Sequence, residues 1–234
     1  MLVRDIERAL ERSEQVSWRY GPELDRGAIV HLCRRIGPGD GPVTVLELGG
    51  GRSTFVWRAL GELGLLNANV VTLLHDPAQA DELASLVHAA ETITVLRAGL
   101  KQITDHDRER LFADPVAAAG VWPTIGTDVP RESYYHYTIR NAFYDRVDLP
   151  LAERSADVLI VDGPHGNGRS LAYPLFGGKL KPDALVLIDD FDHYPFLADL
   201  GRVFRYSELY RDIVGEKRWA LVKLEGAVQG GSDG

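Results

Sequence analysis

Hydrophobic positions along this chain follow two alternating spacings. Helical patterns at 2–18 and 24–36 come first, and the sequence GPGDGP at 37–42 ends them. From there, short aliphatic runs of strand length, such as VTVLEL and ADVLIVD, alternate with segments whose hydrophobic residues have helical spacing. This alternation predicts an α/β fold with a Rossmann-like, doubly wound, mostly parallel sheet that carries helices on both faces.

The region 101–151 breaks the alternation, because it is too long for a simple connection between a strand and a helix. It contains the cluster Tyr134, Tyr135, His136 and Tyr137. We interpret it as an aromatic insertion before the fourth strand. It would form a lid or a wall of the substrate site, or else a satellite hydrophobic cluster beneath a long loop.

The length of 234 residues suits a single domain, which we expect to span 1–234 with the N-terminal helices at 1–36. The strand WALVKLE closes the fold, and 226–234 should be a mobile tail. The single cysteine, Cys33, lies in a helical pattern and is predicted to be a buried thiol.

Charge and apolar content exclude two classes of partner. No apolar run is long enough to cross a membrane, and the N-terminus carries acids throughout, so we expect a cytoplasmic protein without a signal peptide. A net charge of -8 without any basic run argues against nucleic acid. A small-molecule substrate is the remaining expectation, and the sequence leaves open whether the chain forms a homo-oligomer.

The sequence VTVLELGGGRST at 43–54 carries the first candidate site. A buried strand ends near Glu47, and three glycines follow it. Glycine is needed where backbone passes close to a ligand, since a Cβ would collide there. A buried carboxylate such as Glu47 also requires a partner, which a cationic or polar ligand could supply. The candidate cofactor-binding residues of this stretch are Glu47, Gly49, Gly50, Gly51, Ser53 and Thr54.

This stretch resembles the first motif of class I S-adenosylmethionine (SAM)-dependent methyltransferases. The resemblance implies that the acid and the glycines hold the methionine end of SAM. The dinucleotide-binding fingerprint fits less well, because its third glycine is missing. In such enzymes an acid ending the second strand holds the ribose, but here Leu74 stands at that place, before His75 and Asp76. Either Asp76 serves from a shifted register, or the ribose is held otherwise. His75 and Asp76 are therefore added to the candidate cofactor-binding residues.

Two further strands end in acids. ADVLIVD is terminated by Asp162, with His165 in the following loop, and ALVLIDD is terminated by Asp189 and Asp190. Ligands bind at the carboxyl ends of parallel strands, so these acids should converge on one crevice and repel one another. Mg²⁺ or another divalent cation bound by all three would remove that repulsion. The alternative is that the aspartates cap turns and order their own loops.

The sequences DGPH and DD in this order resemble metal-dependent small-molecule O-methyltransferases, of the catechol and the macrolide- or aminocoumarin-sugar types. The motif VDGP also resembles the glucuronoxylan methyltransferase group. The resemblance implies a metal held by Asp162, Asp189 and Asp190. It also places His165 where the catechol type has its catalytic lysine, so Asp162 and His165 are the candidate catalytic residues.

The resulting interpretation is a SAM-dependent enzyme that methylates a small-molecule or sugar hydroxyl with metal assistance. His165, with a pKa naturally near neutrality, would accept the proton. A metal-independent N- or C-methyltransferase and a non-catalytic SAM- or nucleotide-binding module remain alternatives. A nicotinamide oxidoreductase fits least.

Overall fold

The computed structural model describes residues 1–21, 23–36, 41–136, 139–213 and 217–228. Its helices are α1 (Val3–Glu14), α2 (Arg26–Ile36), α3 (Arg52–Glu62), α4 (Pro77–Val87), α5 (Asp105–Ala113), α6 (Pro115–Val121), α7 (Ala172–Phe176) and α8 (Phe196–Val203). Its strands are β1 (Val43–Leu48), β2 (Ala68–Leu74), β3 (Ile93–Arg97), β4 (Leu100–Gln102), β5 (Thr127–Asp128), β6 (Ala142–Tyr144), β7 (Ala156–Val161), β8 (Leu180–Asp189), β9 (Phe204–Arg211) and β10 (Trp219–Ala227).

The main sheet has seven strands in the order β3-β2-β1-β7-β8-β10-β9. Strands β3, β2, β1, β7 and β8 are parallel, while β10 runs antiparallel to both of its neighbours. The chain builds outward in one direction from β1 to β3 and in the other from β7 onward, so the order reverses between β1 and β7. This confirms the predicted α/β fold with a Rossmann-like, doubly wound, mostly parallel sheet. A ligand crevice is expected where the order reverses.

Alternating side chains of the strands fill a core on each face of the sheet. In β1, Val45 packs in a cluster with residues of α1, α2 and α3, whereas Leu46 and Leu48 belong to the cluster on the opposite face. Cys33 is fully buried in the first of these clusters, as predicted. Because both faces are covered, the carboxyl edge of the sheet is the place where polar groups can meet a ligand.

The described residues of the insertion predicted at 101–151 form a substructure of their own. It contains α5, α6 and a small antiparallel sheet of order β5-β4-β6. Its centre is Trp122, fully buried, whose indole Nε1 donates to the Tyr144 carbonyl oxygen at 3.0 Å. Part of the predicted aromatic cluster, Tyr137, lies outside the described residues.

Several element boundaries differ from the sequence pattern. The first helix ends at Glu14, so Trp18 lies beyond it, and the second begins at Arg26 because Asp25 Oδ1 accepts from the backbone of Gly27 and Ala28. Strand β9 was not predicted, since its sequence FRYSELYR mixes polar and apolar residues and half of its residues are exposed. Most of the predicted tail, 229–234, lies outside the described residues, and Ala227 still belongs to β10.

In the described part of the chain, none of the helices has both the length and the apolar character that crossing a membrane requires.

Candidate functional site

The loops after β1 and β7 meet at the point where the strand order reverses. A Cβ on Gly49 would lie 2.9 Å from the Gly163 backbone nitrogen, so the two loops touch through their glycines. Gly49 also has a φ of +90°, which glycine adopts without strain. The crevice above this contact is lined by Trp18, Tyr20, Gly21, Glu23, Leu24, Gly49, Gly50, Gly51, Arg52, Ser53, Gln79 and Asp162. The two predicted loops therefore do converge on one crevice.

The crevice is narrow, with a volume of about 40 Å³. The segment after α1 covers it, because Trp18 lies over the glycine loop: a Cβ on Gly51 would lie 3.3 Å from the Trp18 indole nitrogen. Arg52 fastens this segment by donating to the carbonyl oxygens of Ser13 and Val16 at 2.7 and 2.9 Å. Sequence reasoning missed Trp18 and Tyr20, whose place over a loop 30 residues away has no signal in their local pattern.

The glycines of the first motif serve more than one purpose. A Cβ on Gly50 would overlap the Thr72 hydroxyl and lie 3.0 Å from Leu83. The expectation that glycine is needed because a Cβ would collide with a ligand is therefore wrong at Gly50, where a Cβ would face Thr72 of β2 and Leu83 of α4. Close packing of the loop against the protein requires glycine at this position.

Glu47 is completely buried and is not among the residues that line the crevice. Its Oε2 accepts a 2.5 Å hydrogen bond from the Thr54 hydroxyl, and Thr54 in turn accepts from the Gly51 backbone nitrogen at 3.1 Å. Burial raises the pKa of Glu47, against the opposing effect of the Ser53 and Thr54 hydroxyls. Within the described residues, Oε1 of Glu47 has no hydrogen-bond partner. Through Thr54, Glu47 thus holds the glycine loop in place from the protein interior. Its Oε1 is left as an acceptor without a hydrogen-bond partner among the described residues.

At the end of β2, the residues take separate roles. Leu74 is buried against α4, and Asp76 caps that helix, its Oδ1 accepting from the backbone of Ala78 and Gln79 at 2.9 and 3.0 Å. His75 is 8% exposed, and neither of its ring nitrogens has a hydrogen-bond partner among the described residues. The end of β2 therefore presents a buried leucine and a buried imidazole, and its acid is engaged in capping α4.

Asp162 after β7 and Asp189 at the end of β8 lie close together, near an arginine. Burial, together with the neighbouring Asp162 carboxylate, raises the pKa of Asp189 well above its ordinary value. Burial also raises the pKa of Asp162, and the Arg169 guanidinium opposes that rise. Arg169 is buried and bridges the two loops, donating to the carbonyl oxygens of Pro164 and Asp189 at 2.9 and 3.1 Å. Asp162 and Asp189 therefore repel each other, as the sequence predicts. The guanidinium of Arg169 offsets part of this repulsion.

Asp190 and the nearby histidines lie at the rim of the same edge. Asp190 has a φ of +49°, its carbonyl oxygen accepts from the His193 backbone at 3.0 Å, and its Oδ2 lies 3.7 Å from His193 Nδ1. His165 is exposed, and partial burial together with Arg169 lowers its pKa. No group of three or more histidine, cysteine, aspartate or glutamate side chains is arranged to hold a metal ion within the part of the chain that the structure describes.

A second cavity of about 450 Å³ lies along the same carboxyl edge, between the insertion and the loops after β7 and β8. It is lined by Asp105, Arg108, Ile139, Arg140, Asn141, Asn167, Tyr194, Pro195 and Asp199. Asn141 and Asn167 pair reciprocally at 2.8 and 2.7 Å. Arg108 donates to Asp199 at 2.5 Å, and its Nε has no partner among the described residues. This cavity has the size of a site for a small molecule.

No family model matches the chain, and no curated protein matches it. Solved structures similar to it include a SAM-dependent methyltransferase from Aquifex aeolicus, with 12% identity and a TM-score of 0.42 over 78% of this chain and 81% of that one. The C-terminal domain of precorrin-6Y C5,15-methyltransferase from Rhodobacter capsulatus has 12% identity and a TM-score of 0.47 over 93% and 97%. A methyltransferase from Geobacter sulfurreducens has 15% identity and a TM-score of 0.44 over 94% and 87%. The residues of the crevice, and not these similarities, support the function proposed below.

Proposed function

We propose that this chain is a SAM-dependent methyltransferase that acts on a hydroxyl group of a small molecule. The observation that carries the proposal is the crevice where the strand order reverses, with the glycine loop after β1 on one side and Asp162 on the other. In open α/β sheets this is the place where nucleotide-like cofactors bind.

The residues of the crevice fit the amino-acid end of SAM. The glycine loop runs directly into α3, and the N-terminus of a helix favours a carboxylate. When bound, SAM supplies a methyl group that is activated by its sulfonium. Because the crevice holds only about 40 Å³, we expect Trp18 and Tyr20 to move aside when SAM enters.

The cavity beside the insertion is the proposed acceptor site. Its paired amide, carboxylate and guanidinium groups suit a polar molecule that carries hydroxyls. Asn167 lies two residues beyond His165 in the loop after β7, so the cavity and the crevice share this loop. In this proposal the insertion contributes to the acceptor site through Ile139, Arg140 and Asn141.

His165 is the proposed base. Its lowered pKa leaves the imidazole neutral near pH 7, so it can accept the hydroxyl proton as the new oxygen–carbon bond forms and the sulfur–carbon bond breaks. Positioning supplies most of the acceleration in such an in-line displacement. Asp162 lines the crevice next to this loop, and its negative charge favours a cationic donor there.

Metal assistance remains a prediction. Asp162 and Asp189 carry hard oxygen donors, and Oδ1 of Asp189 is buried without a partner among the described residues. Against this stands Arg169, which already supplies positive charge to the pair. The mechanism above therefore uses no metal, and a bound cation would hold the acceptor oxygen and lower its pKa.

The test is a methyl-transfer assay with radiolabelled SAM and a panel of small phenols, catechols and sugars, with and without excess chelator. We expect label transfer to at least one hydroxyl acceptor, and loss of transfer in His165→Ala. Methyl transfer that continues after exhaustive chelation would exclude a metal-assisted mechanism. SAM binding without transfer to any acceptor would favour the non-catalytic module, and transfer only to nitrogen or carbon acceptors would overturn the O-methylation proposal.

A further inference from the structure

A third cavity, of about 490 Å³, lies at the amino edge of the main sheet, opposite the crevice. Val43, the first residue of β1, lines this cavity, whereas the glycine loop follows the last residue of the same strand. The six residues of β1 separate the two places by about 20 Å, at the rise of an extended strand. The cavity therefore belongs neither to the crevice nor to the proposed acceptor site, and the methyl transfer proposed above does not use it.

Two features of the chain leave this part of the sheet uncovered. Helix α2 packs against one face of the sheet but ends at Ile36. Strand β8 is irregular at its amino end, because its register with β7 moves from Ala156–Leu180 to Val158–Leu185, five steps along β8 against two along β7. The additional residues of β8 have no partner in β7. The cavity thus lies where one helix has ended and one strand has not yet joined the regular ladder.

The floor of the cavity is apolar. Ile36, Leu185 and Leu209 line it, and all three pack against the core cluster beneath α2 while remaining only half-buried. Val158, which is fully buried in that cluster, lies among the lining residues as well. Covering the exposed part of these side chains with hydrocarbon would remove apolar surface from water, which is favourable. The floor therefore suits the apolar part of a ligand.

The charged groups around this floor are paired, with the exception of one cation. Asp157 Oδ1 accepts from Lys181 Nζ at 2.5 Å, and Asp183 Oδ2 lies 3.8 Å from Lys223 Nζ. In the part of the chain that the structure describes, Arg35 has no acid within ion-pair distance. Three cations against two acids leave one net positive charge among these described groups, and Arg35 carries it.

We propose that this cavity binds an amphiphile with a single negative charge, such as a medium-chain carboxylate. Its carboxylate pairs with Arg35, since a planar guanidinium binds a carboxylate through two parallel hydrogen bonds. Its hydrocarbon chain lies on the apolar floor, and a volume of about 490 Å³ is that of a small-molecule site. A dianion would exceed the one net positive charge, and a wholly polar ligand would leave the floor uncovered.

The test is a heteronuclear NMR titration of wild type, Arg35→Met and the control Arg34→Met with octanoate. Arg34 is exposed, precedes Arg35 in the same helix and does not line the cavity. We expect octanoate to shift the backbone signals of wild type at 35–36, 157–158 and 184–185. Arg35→Met should weaken binding about fivefold or more, because it removes the ion pair, and Arg34→Met should bind as wild type does.

Two further titrations test the charge match from the other side. Asp183→Asn releases Lys223 from its ion pair and should tighten octanoate binding about twofold. 1-Octanol has the same chain without the charge, so we expect it to bind wild type more weakly than octanoate and to bind Arg35→Met as it binds wild type. If Arg35→Met does not fold, Asp183→Asn carries the test, and unchanged octanoate affinity in that variant would overturn the inference.

Several results would contradict the proposal. Wild type that does not bind octanoate would overturn it, and so would equal losses in Arg35→Met and Arg34→Met, which would indicate a general surface charge effect. Shifts confined to the carboxyl edge, or displacement of octanoate by S-adenosylhomocysteine, would assign the ligand to the crevice and overturn it as well. The proposed methyl transfer is tested separately, because none of these titrations measures it.

Discussion

Buried acids lie on both sides of the crevice, but the protein accommodates them in different ways. On the β1 side, Glu47 is completely buried and is held by neutral hydroxyls, chiefly Thr54 Oγ1 at 2.5 Å. On the β7 and β8 side, Asp162 and Asp189 lie against each other and are balanced by the charge of Arg169. The β1 side is therefore a rigid support held by hydrogen bonds from neutral groups, whereas the β7 and β8 side places charged side chains at the edge of the crevice.

This difference shows which of these acids a ligand in the crevice can contact. Glu47 does not line the crevice, and its unused oxygen is enclosed by the loop. Asp162 lines the crevice and has a raised pKa caused by burial. A strand-end acid in the sequence thus has two possible roles, and only its surroundings in three dimensions tell them apart.

The largest expected effect is that of Arg169→Met. Removing the guanidinium leaves Asp162 and Asp189 buried without their balancing charge, which should cost roughly 3–5 kcal/mol in the free energy of unfolding. Urea denaturation measures this loss. The double variant Arg169→Met with Asp189→Asn should recover part of it, because one acid becomes neutral. No recovery in the double variant would show that Arg169 acts through packing and its backbone hydrogen bonds alone.

His75 should make stability depend on pH. Its pKa is about 4 in the folded protein against an ordinary value of 6.5, so between these values the unfolded chain binds a proton that the folded protein does not. Stability should therefore fall as the pH drops from 6.5 to 4, by up to roughly 3 kcal/mol for this group. Urea denaturation of wild type and His75→Phe across this range checks the effect. Equal pH profiles would rule out a buried neutral imidazole.

Gly50→Val should destabilise the protein by roughly 1–3 kcal/mol, because the new side chain overlaps Thr72 and crowds Leu83. The matched variant is Gly50→Val combined with Thr72→Ala, which removes the overlapping hydroxyl and should restore part of the stability. A Gly50→Val protein with unchanged melting temperature and lost SAM affinity would instead show that this position faces the ligand.

Glu47→Gln should have the smallest effect, less than about 1 kcal/mol, since its amide oxygen can still accept from the Thr54 hydroxyl. The contrasting variant, Glu47→Ala, leaves a cavity and removes the acceptor of the Thr54 hydroxyl. It should lower the free energy of unfolding by roughly 2–3 kcal/mol. Thermal denaturation of both variants compares them. A large loss in Glu47→Gln would mean that Glu47 is charged and that the two sides of the crevice are alike.

The sheet and the strand-end acids were predictable because they depend on local spacing. The runs that form β1, β7 and β8 have the length and apolar character of buried strands, and the glycines after β1 follow directly. Strand β9 was not predictable in this way, because it pairs at the sheet edge with polar side chains. Its identity as a strand depends on β10, which lies later in the chain.

The walls of the crevice were less accessible to sequence reasoning. Trp18 reaches the glycine loop and Tyr135 reaches His75 only through tertiary contacts between distant segments. Arg169 lies in the loop after β7, and its role depends on its placement near Asp162 and Asp189, which its position in the sequence does not indicate. Local patterns predict which groups are present at the sheet edge, and packing determines which of them meet.

The central claim is that SAM binds between the glycine loop and the segment that carries Trp18 and Tyr20. Hydrogen–deuterium exchange with and without S-adenosylhomocysteine tests it most directly. The account predicts slower exchange in peptides covering 48–54 and 74–80, together with altered exchange at 16–24 as that segment moves to admit the ligand. Unchanged exchange in all three regions at saturating ligand, or a change confined to the opposite edge of the sheet near 41–43, would contradict it.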